Sequence, residues 1–276
     1  MEYIEVGISG VSGEIAGILT AEMCELGFES FTEESGGAFS AYIQLESFDI
    51  MQVANFLEKK AADLGFTYKV EKIASRNWNE EWESSYKPVR IGSCYIRALF
   101  HKPDPGAATE LVIEPKMSFG TAHHETTRLM IETLLNISFE GCAVLDMGTG
   151  TGVLGILAAK LGAKPVVAID NDEWSFLNAK ENALRNNVGD MIVLQGDALS
   201  IPEGRYRFVF ANINRNVLLR DMPVYNNFLE KGGELILSGF YEEDLEVITD
   251  KTTKLGLELV SRAALNHWVA VRFKKC

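Results

Sequence analysis

A chain of 276 residues amounts to about two domains at the usual ~150 residues each. Its composition, 47% hydrophobic and 24% charged, is that of a globular protein and excludes disordered or collagen-like chains. Twenty-six Lys/Arg against 39 Asp/Glu leave a net charge of −13, which repels phosphate backbones and favours a cationic partner over nucleic acid.

The opening MEYIEVGISG has neither the basic stretch nor the apolar run of a signal peptide. No apolar run approaches the ~20 residues of a membrane span, so a cytoplasmic protein without membrane contact is expected. Alternation over Tyr3–Ile8 predicts a strand. Ser12 then precedes a helix whose Ile15, Ile18, Leu19, Met23 and Leu26 are expected to share one face. Phe28–Thr32 and Phe39–Leu45 are predicted strands on either side of a Gly36-Gly37 turn. Asp49 is placed to cap a second helix carrying Met51, Phe56, Leu57 and Leu64, with Gly65 closing it and a strand over Phe66–Ile73. The order β-α-β-β-α-β is the ferredoxin-like split motif, so residues 1–73 are expected to form a small α+β domain. That segment holds 13 Asp/Glu against 4 Lys/Arg, or −9 of the chain's −13, which suits either an ordinary solvated acidic surface or a docking domain for a basic macromolecule.

Residues 74–90 are polar but contain Trp78, Trp82 and Tyr86, as expected of a linker that packs against a domain. Strands are predicted over Ile91–Phe100 and Glu110–Ile113. From Ala143 onward strands and helices alternate. The strands are Ala143–Met147, Pro165–Asp170, Met191–Gln195, Phe208–Ala211 and Glu234–Ser238. The helices are Val153–Leu161, Trp174–Asn186, Asn216–Leu229 and Glu242–Leu255. A hairpin over Leu257–Ala263 and His267–Phe273 follows. Such alternation predicts an α/β domain over 91–276 with a mostly parallel sheet covered on both faces.

Within it, Val144-Leu145-Asp146-Met147-Gly148-Thr149-Gly150-Thr151-Gly152-Val153 takes a buried strand through glycines into a helix. Gly148 and Gly150 permit backbone angles closed to other residues and let a ligand approach the chain. Asp170, twenty residues beyond Gly150, ends the next strand, where a carboxylate can accept ribose hydroxyls. A dinucleotide fingerprint starting at Gly148 would need Gly or Ala at 153, where Val153 stands. The pattern Asp-x-Gly-x-Gly-x-Gly instead resembles the first motif of class I S-adenosylmethionine-dependent methyltransferases, whose fold is Rossmann-like with a seven-stranded sheet. That resemblance assigns Asp197, after the third strand, to the adenine, although an aspartate there also suits a helix cap. Ala211-Asn212-Ile213-Asn214 follows the fourth strand and lacks the prolines and aromatic ring that related enzymes use to stack planar targets, which favours an aliphatic amine.

The segment Met117-Ser118-Phe119-Gly120-Thr121-Ala122-His123-His124-Glu125-Thr126-Thr127-Arg128, with Ala211-Asn212-Ile213 downstream, resembles the PrmA family of methyltransferases acting on large-subunit ribosomal protein L11. The resemblance spans nearly the whole chain. It implies cofactor contacts at Thr127, Gly148, Gly150, Asp170 and Asn212, and a lid over the methionine moiety at Phe119 and Gly120. Asn212 is further expected to orient the incoming amine. The implied cofactor is S-adenosylmethionine, leaving S-adenosylhomocysteine, and the implied partner is a basic ribosomal protein met by a monomer. One departure is Ala122, where the family carries glycine. The alternatives are a class I methyltransferase for another protein or a small amine, and a non-catalytic cofactor-binding factor in ribosome assembly. No metal is expected. His124-Glu125-Thr126-Thr127-Arg128 lacks the second histidine of a zinc motif, so structural or lid roles are expected for His123 and His124. His101 and His267 have no partners at ligand spacing. Cys24, Cys94, Cys142 and Cys276 are scattered without a Cys-x-x-Cys pair, as expected of reduced thiols.

Overall fold

The computed structural model describes residues 3–34, 38–73, 86–114, 116 and 118–276. Two compact units are distinguished, Met1–Ser85 and Tyr86–Cys276. The Gly36-Gly37 turn, Trp78 and Trp82 lie outside the described residues. Among those described, no helix is long and apolar enough to cross a membrane.

The first unit runs β1 (Tyr3–Ser9), α1 (Gly13–Glu25), β2 (Ser30–Glu34), β3 (Ala38–Gln44), α2 (Ile50–Leu64) and β4 (Thr67–Ile73). Its sheet has the order β2-β3-β1-β4 with every pair antiparallel, which is the ferredoxin-like arrangement. Asp49 Oδ1 accepts the N–H groups of Met51 and Gln52, both at 3.0 Å, and Gly65 at φ 74° closes α2. Ile4, Val6 and Ile8 of β1 meet Leu19 and Met23 of α1 and Val53 and Leu57 of α2 in one core. The expected shared face of α1 needs correction. Ile18 is half exposed, because it sits off the row of Ala16, Leu19 and Met23 that the helix turns toward the sheet. In α2, Met51 and Leu64 are exposed while Val53 and Leu57 are buried.

The second unit opens with a three-stranded sheet of β5 (Val89–Ile91), β6 (Cys94–Arg97) and β7 (Thr109–Val112). The single strand expected over 91–100 is therefore a hairpin. Gly92, at φ 53°, reverses the chain so that Ile91 pairs with Cys94. Strand β5 also begins inside the stretch expected as linker. Tyr86 packs there, its ring centroid 4.6 Å from that of His123, and its carbonyl oxygen lies 2.6 Å from His101 Nε2.

Next come α3 (Glu125–Leu134), β8 (Val144–Met147), α4 (Val153–Lys160), β9 (Val166–Asp170), α5 (Glu173–Arg185) and β10 (Ile192–Gln195). The chain finishes with β11 (Tyr206–Asn212), α6 (Arg215–Phe228), β12 (Leu229–Tyr241), α7 (Leu245–Lys254), β13 (Leu257–Leu265) and β14 (Trp268–Lys275). The seven strands lie in the order β10-β9-β8-β11-β12-β14-β13, parallel from β10 to β12 with β14 antiparallel to both its neighbours. This is the expected Rossmann-like sheet. Separate apolar layers cover its two faces. Strand β12 extends well beyond the expected Glu234–Ser238, carried through a bulge at Gly239, whose φ is 94°. Between β8 and β11 the strand order reverses direction, and the crevice at their carboxyl ends is where ligands bind in such sheets.

Candidate functional site

The loop after β8 is organised by a buried carboxylate. Asp146, 1% exposed, accepts Thr149 Oγ1–H at 2.6 Å and Gly155 N–H at 3.0 Å on the same oxygen. It thereby ties the loop to the first turn of α4. Burial pushes its carboxyl up to about 6, while the two hydrogen bonds pull the other way and the Asp170 charge adds to the rise. Gly148, Gly150 and Gly152 all have positive φ. The structure adds a second demand on two of them. A Cβ on Gly148 would lie 2.3 Å from Ile213 Cγ2, and one on Gly150 would lie 2.2 Å from the Phe119 carbonyl oxygen.

Asp170, at the end of β9, is 9% exposed. Its Oδ2 accepts Gly150 N–H at 2.8 Å and its Oδ1 accepts Asp172 N–H at 3.1 Å. A carboxylate has about four lone-pair sites, so acceptor capacity remains for a vicinal diol. On the facing side, residues 118–122 are fastened to the glycine loop. Thr151 N–H donates to Phe119 O at 2.9 Å and Thr151 Oγ1–H to Gly120 O at 2.7 Å. Ala122 there is buried with φ 68°, a left-handed conformation that explains a preference for glycine at this position.

Both histidines of the 117–128 segment are engaged within the protein. His124 caps α3, its Nδ1 accepting Thr126 N–H at 3.2 Å, and His123 Nε2 lies 2.9 Å from Lys87 O. The His124 ring stands edge-on to Phe119 at 5.2 Å and to Trp268 at 4.9 Å, and Trp268 in turn meets Tyr241 at 4.0 Å. These four rings form an aromatic wall. Among the described residues, no group of three or more His, Cys, Asp or Glu side chains is placed to hold a metal ion.

Asn212, the last residue of β11, donates from Nδ2 to Thr127 Oγ1 at 3.3 Å. Its Oδ1 is buried and has no hydrogen-bond partner among the described residues. A buried acceptor without a donor carries an unmet desolvation cost, and an N–H group brought into the site would relieve it.

Two adjoining hollows occupy the crevice. One, of about 410 Å³, is lined by the expected Phe119, Gly148, Gly150, Asp170 and Asn212, together with Trp268. The other, of about 280 Å³, is lined by Gly148, Asp170 and the expected Asp197, with Ile213, Asp221 and Tyr225. Asp197 also caps a short 3-10 turn, its Oδ1 accepting Leu199 N–H at 2.9 Å, so the cap expected as its alternative use is present. Thr127 and Gly120 line neither hollow. Thr127 is fully buried behind Asn212, and Gly120 gives its carbonyl to Thr151. Thr126 and Trp268 line the larger hollow without having been singled out, and His124, expected in a structural or lid role, lines it as well. Trp268 follows the Asn266-His267 turn, where both residues have positive φ, so the hairpin was legible but its reach to the crevice was not.

Comparison with known proteins gives consistent matches. The family model described as ribosomal protein L11 methyltransferase (PrmA) matches residues 3–276. A ribosomal protein L11 methyltransferase from Porphyromonas gingivalis is 45% identical over 260 residues, covering 93% of this chain and 89% of that protein. One from Phocaeicola vulgatus is 42% identical over 283 residues, covering 99% of each. The crystal structure of a ribosomal protein L11 methylase from Lactobacillus delbrueckii subsp. bulgaricus superposes with a TM-score of 0.64 at 26% identity, covering 69% of this chain and 100% of that one.

Proposed function

The chain belongs to the ribosomal protein L11 methyltransferase family, and we propose that it methylates amino groups of that large-subunit protein, lysine side chains foremost, with S-adenosylmethionine as donor. The observation that carries the reading is the convergence of Asp170, the glycine loop and the unpartnered Asn212 Oδ1 on one crevice. Four free cysteines accord with a reducing cytoplasm, where the protein acts as a monomer. When bound, the cofactor's sulfonium supplies an activated methyl group and leaves as S-adenosylhomocysteine.

The protein's contribution is then positioning. Asp170 receives the ribose hydroxyls, and Asp197 and the smaller hollow receive the adenine. Thr127 holds the Asn212 amide in place from behind, leaving Oδ1 to accept an N–H of the target amine and turn its lone pair toward the methyl. A lysine amine, with a reference pKa of about 10.4, attacks only once deprotonated. The wall of Phe119, His124 and Trp268 screens it from water, which favours the neutral form. The acidic first unit docks the basic protein substrate.

The test is methyl transfer from S-adenosylmethionine to purified large-subunit ribosomal proteins, followed by peptide mass analysis. Mass gains of whole methyl groups on amines of L11 are the expected result. Transfer to another protein alone, or cofactor binding without any transfer, would overturn the assignment.

A further inference from the structure

Helix α5 carries two buried asparagines, Asn178 and Asn182, and Asn186 is its C-cap; the three are four residues apart and 1%, 0% and 3% exposed. Asparagine is a poor residue for a helix interior, and Asn178 and Asn182, like the capping Asn186, are accounted for by what they bind. Asn186 accepts Val112 N–H at 2.8 Å and donates to Val112 O at 2.7 Å. Asn182 accepts Glu114 N–H at 3.1 Å, and Asn178 donates to Glu114 O at 3.4 Å. The two residues so bound, 112 and 114, face the same edge of the chain at and beyond the end of β7, as if a further strand lay there. The amides serve as that strand.

Asn182 alone of the three also reaches the glycine loop. Its Nδ2 donates to Thr151 O at 2.9 Å, while Thr151 binds Phe119 O and Gly120 O through its N–H and hydroxyl. One buried amide thus joins the backbone at Glu114, the loop after β8 and, through Thr151, the residues that carry Phe119 into the larger hollow. Lys116 Nζ, 2.7 Å from Glu181 Oε2, adds a surface tie between the same segment and α5.

We propose that Asn182 is a positioning residue for cofactor retention: acting through Thr151, it holds the Phe119-bearing segment against the glycine loop without touching the cofactor. This rests on the reading of the crevice as an S-adenosylmethionine site. Asn186 has the same burial and the same kind of bonds but no link to Thr151, so it is the internal control for a purely structural role.

The experiment compares the full-length protein with Asn182→Ala, Asn182→Asp and Asn186→Ala. Asn182→Asp keeps the oxygen that accepts Glu114 N–H beside Arg185 and loses the donor to Thr151 O. The readouts are S-adenosylhomocysteine binding by calorimetry and stopped flow, and hydrogen exchange of the ligand-free proteins. Asn182→Ala and Asn182→Asp are expected to speed ligand dissociation at least tenfold and to raise exchange of the Thr151 amide, which is protected by Phe119 O. Turnover at saturating cofactor should change less than threefold. Asn186→Ala should lower thermal stability with affinity within twofold of wild type. Asn182→Asp keeps the test decisive if Asn182→Ala does not fold. Wild-type dissociation rates and protection in a folded Asn182→Ala, or in Asn182→Asp should that protein not fold, would overturn the proposal. So would an equal loss of affinity in Asn186→Ala. A wild-type protein that binds no S-adenosylhomocysteine would instead refute the reading of the crevice, and the proposal with it.

Discussion

Asp146→Asn removes the ionisation of the carboxylate on which the glycine loop is hung. In the folded chain this carboxyl is pushed up to about 6 by burial, against an ordinary value of 3.8. Between those values the folded chain keeps a proton that the unfolded chain has released, so stability falls as pH rises from about 4 to about 6 and then levels off. A gap of about two pH units at about 1.4 kcal/mol per unit makes the loss roughly 3 kcal/mol. Asparagine carries no charge at any pH, and its one oxygen can still accept both Thr149 Oγ1–H and Gly155 N–H, which meet a single atom in the native protein. Urea unfolding of both proteins at about pH 4 and about pH 7.5 isolates the effect, because other carboxylates cancel in the difference. The variant should gain on the wild type by about 3 kcal/mol across that interval. A difference that stays constant with pH would show that Asp146 ionises normally and that the burial argument is wrong.

Asp170→Ala should weaken S-adenosylhomocysteine binding by about 1.5–3 kcal/mol in calorimetry, the range for hydrogen bonds to a charged group, and should lower the melting temperature because Gly150 N–H loses its acceptor. Unchanged affinity would remove Asp170 from the site. Asn212→Ala should reduce turnover more than cofactor affinity in steady-state kinetics, since Oδ1 is assigned to the amine; equal losses would leave it a cofactor-binding residue only. Ala122→Gly relieves a left-handed alanine worth about 1–2 kcal/mol but gives up a buried methyl of about 0.8 kcal/mol and adds unfolded-chain entropy of about 0.4–1 kcal/mol. Its urea midpoint should therefore move little, and a large shift either way would refute that balance. A chain beginning at Tyr86, which keeps the packing of Tyr86 on His123, should bind cofactor yet lose most methylation of intact L11; methylation at the full-length rate would make the acidity of the first unit a solvated surface.

The α/β alternation was legible because parallel strands buried on both faces are near-continuous apolar runs, as in Val166–Ile169, while their helices keep a polar side. The caps at Asp49 and Gly65 were legible because each meets a local backbone need. Ile91–Phe100 was misjudged as one strand although Gly92-Ser93 is a two-residue hairpin signal between Ile91 and Cys94. Thr126 stood inside the 117–128 segment beside Thr127, and only the packing of α3 decides which of the two faces the hollow. Trp268 left no local trace, since its place at the crevice depends on how β14 packs. The asparagine row of α5 did leave one. Two poor helix formers inside the helix and a third at its C-cap, buried at a four-residue spacing, call for hydrogen-bond partners from elsewhere in the fold.

The glycines of the motif are explained first by protein rather than by ligand. Gly148 makes room for Ile213 and Gly150 for the Phe119 carbonyl, and outside the motif Gly239 does so for the Ile213 carbonyl, which a Cβ would approach to 2.3 Å. Each lets one loop at the carboxyl edge of the sheet press against another, and the two hollows are the space left between them. A glycine pattern in such a fold is thus evidence for closely packed loops around a crevice. It says little about which group is transferred there. That choice lies with the atoms left facing the space: the unpartnered oxygen of Asn212, the remaining lone pairs of Asp170, and the rings of Phe119, His124 and Trp268. Of these, Asn212 is the most telling, because a buried acceptor held from behind by Thr127 is costly to fold unless a donor arrives during the reaction.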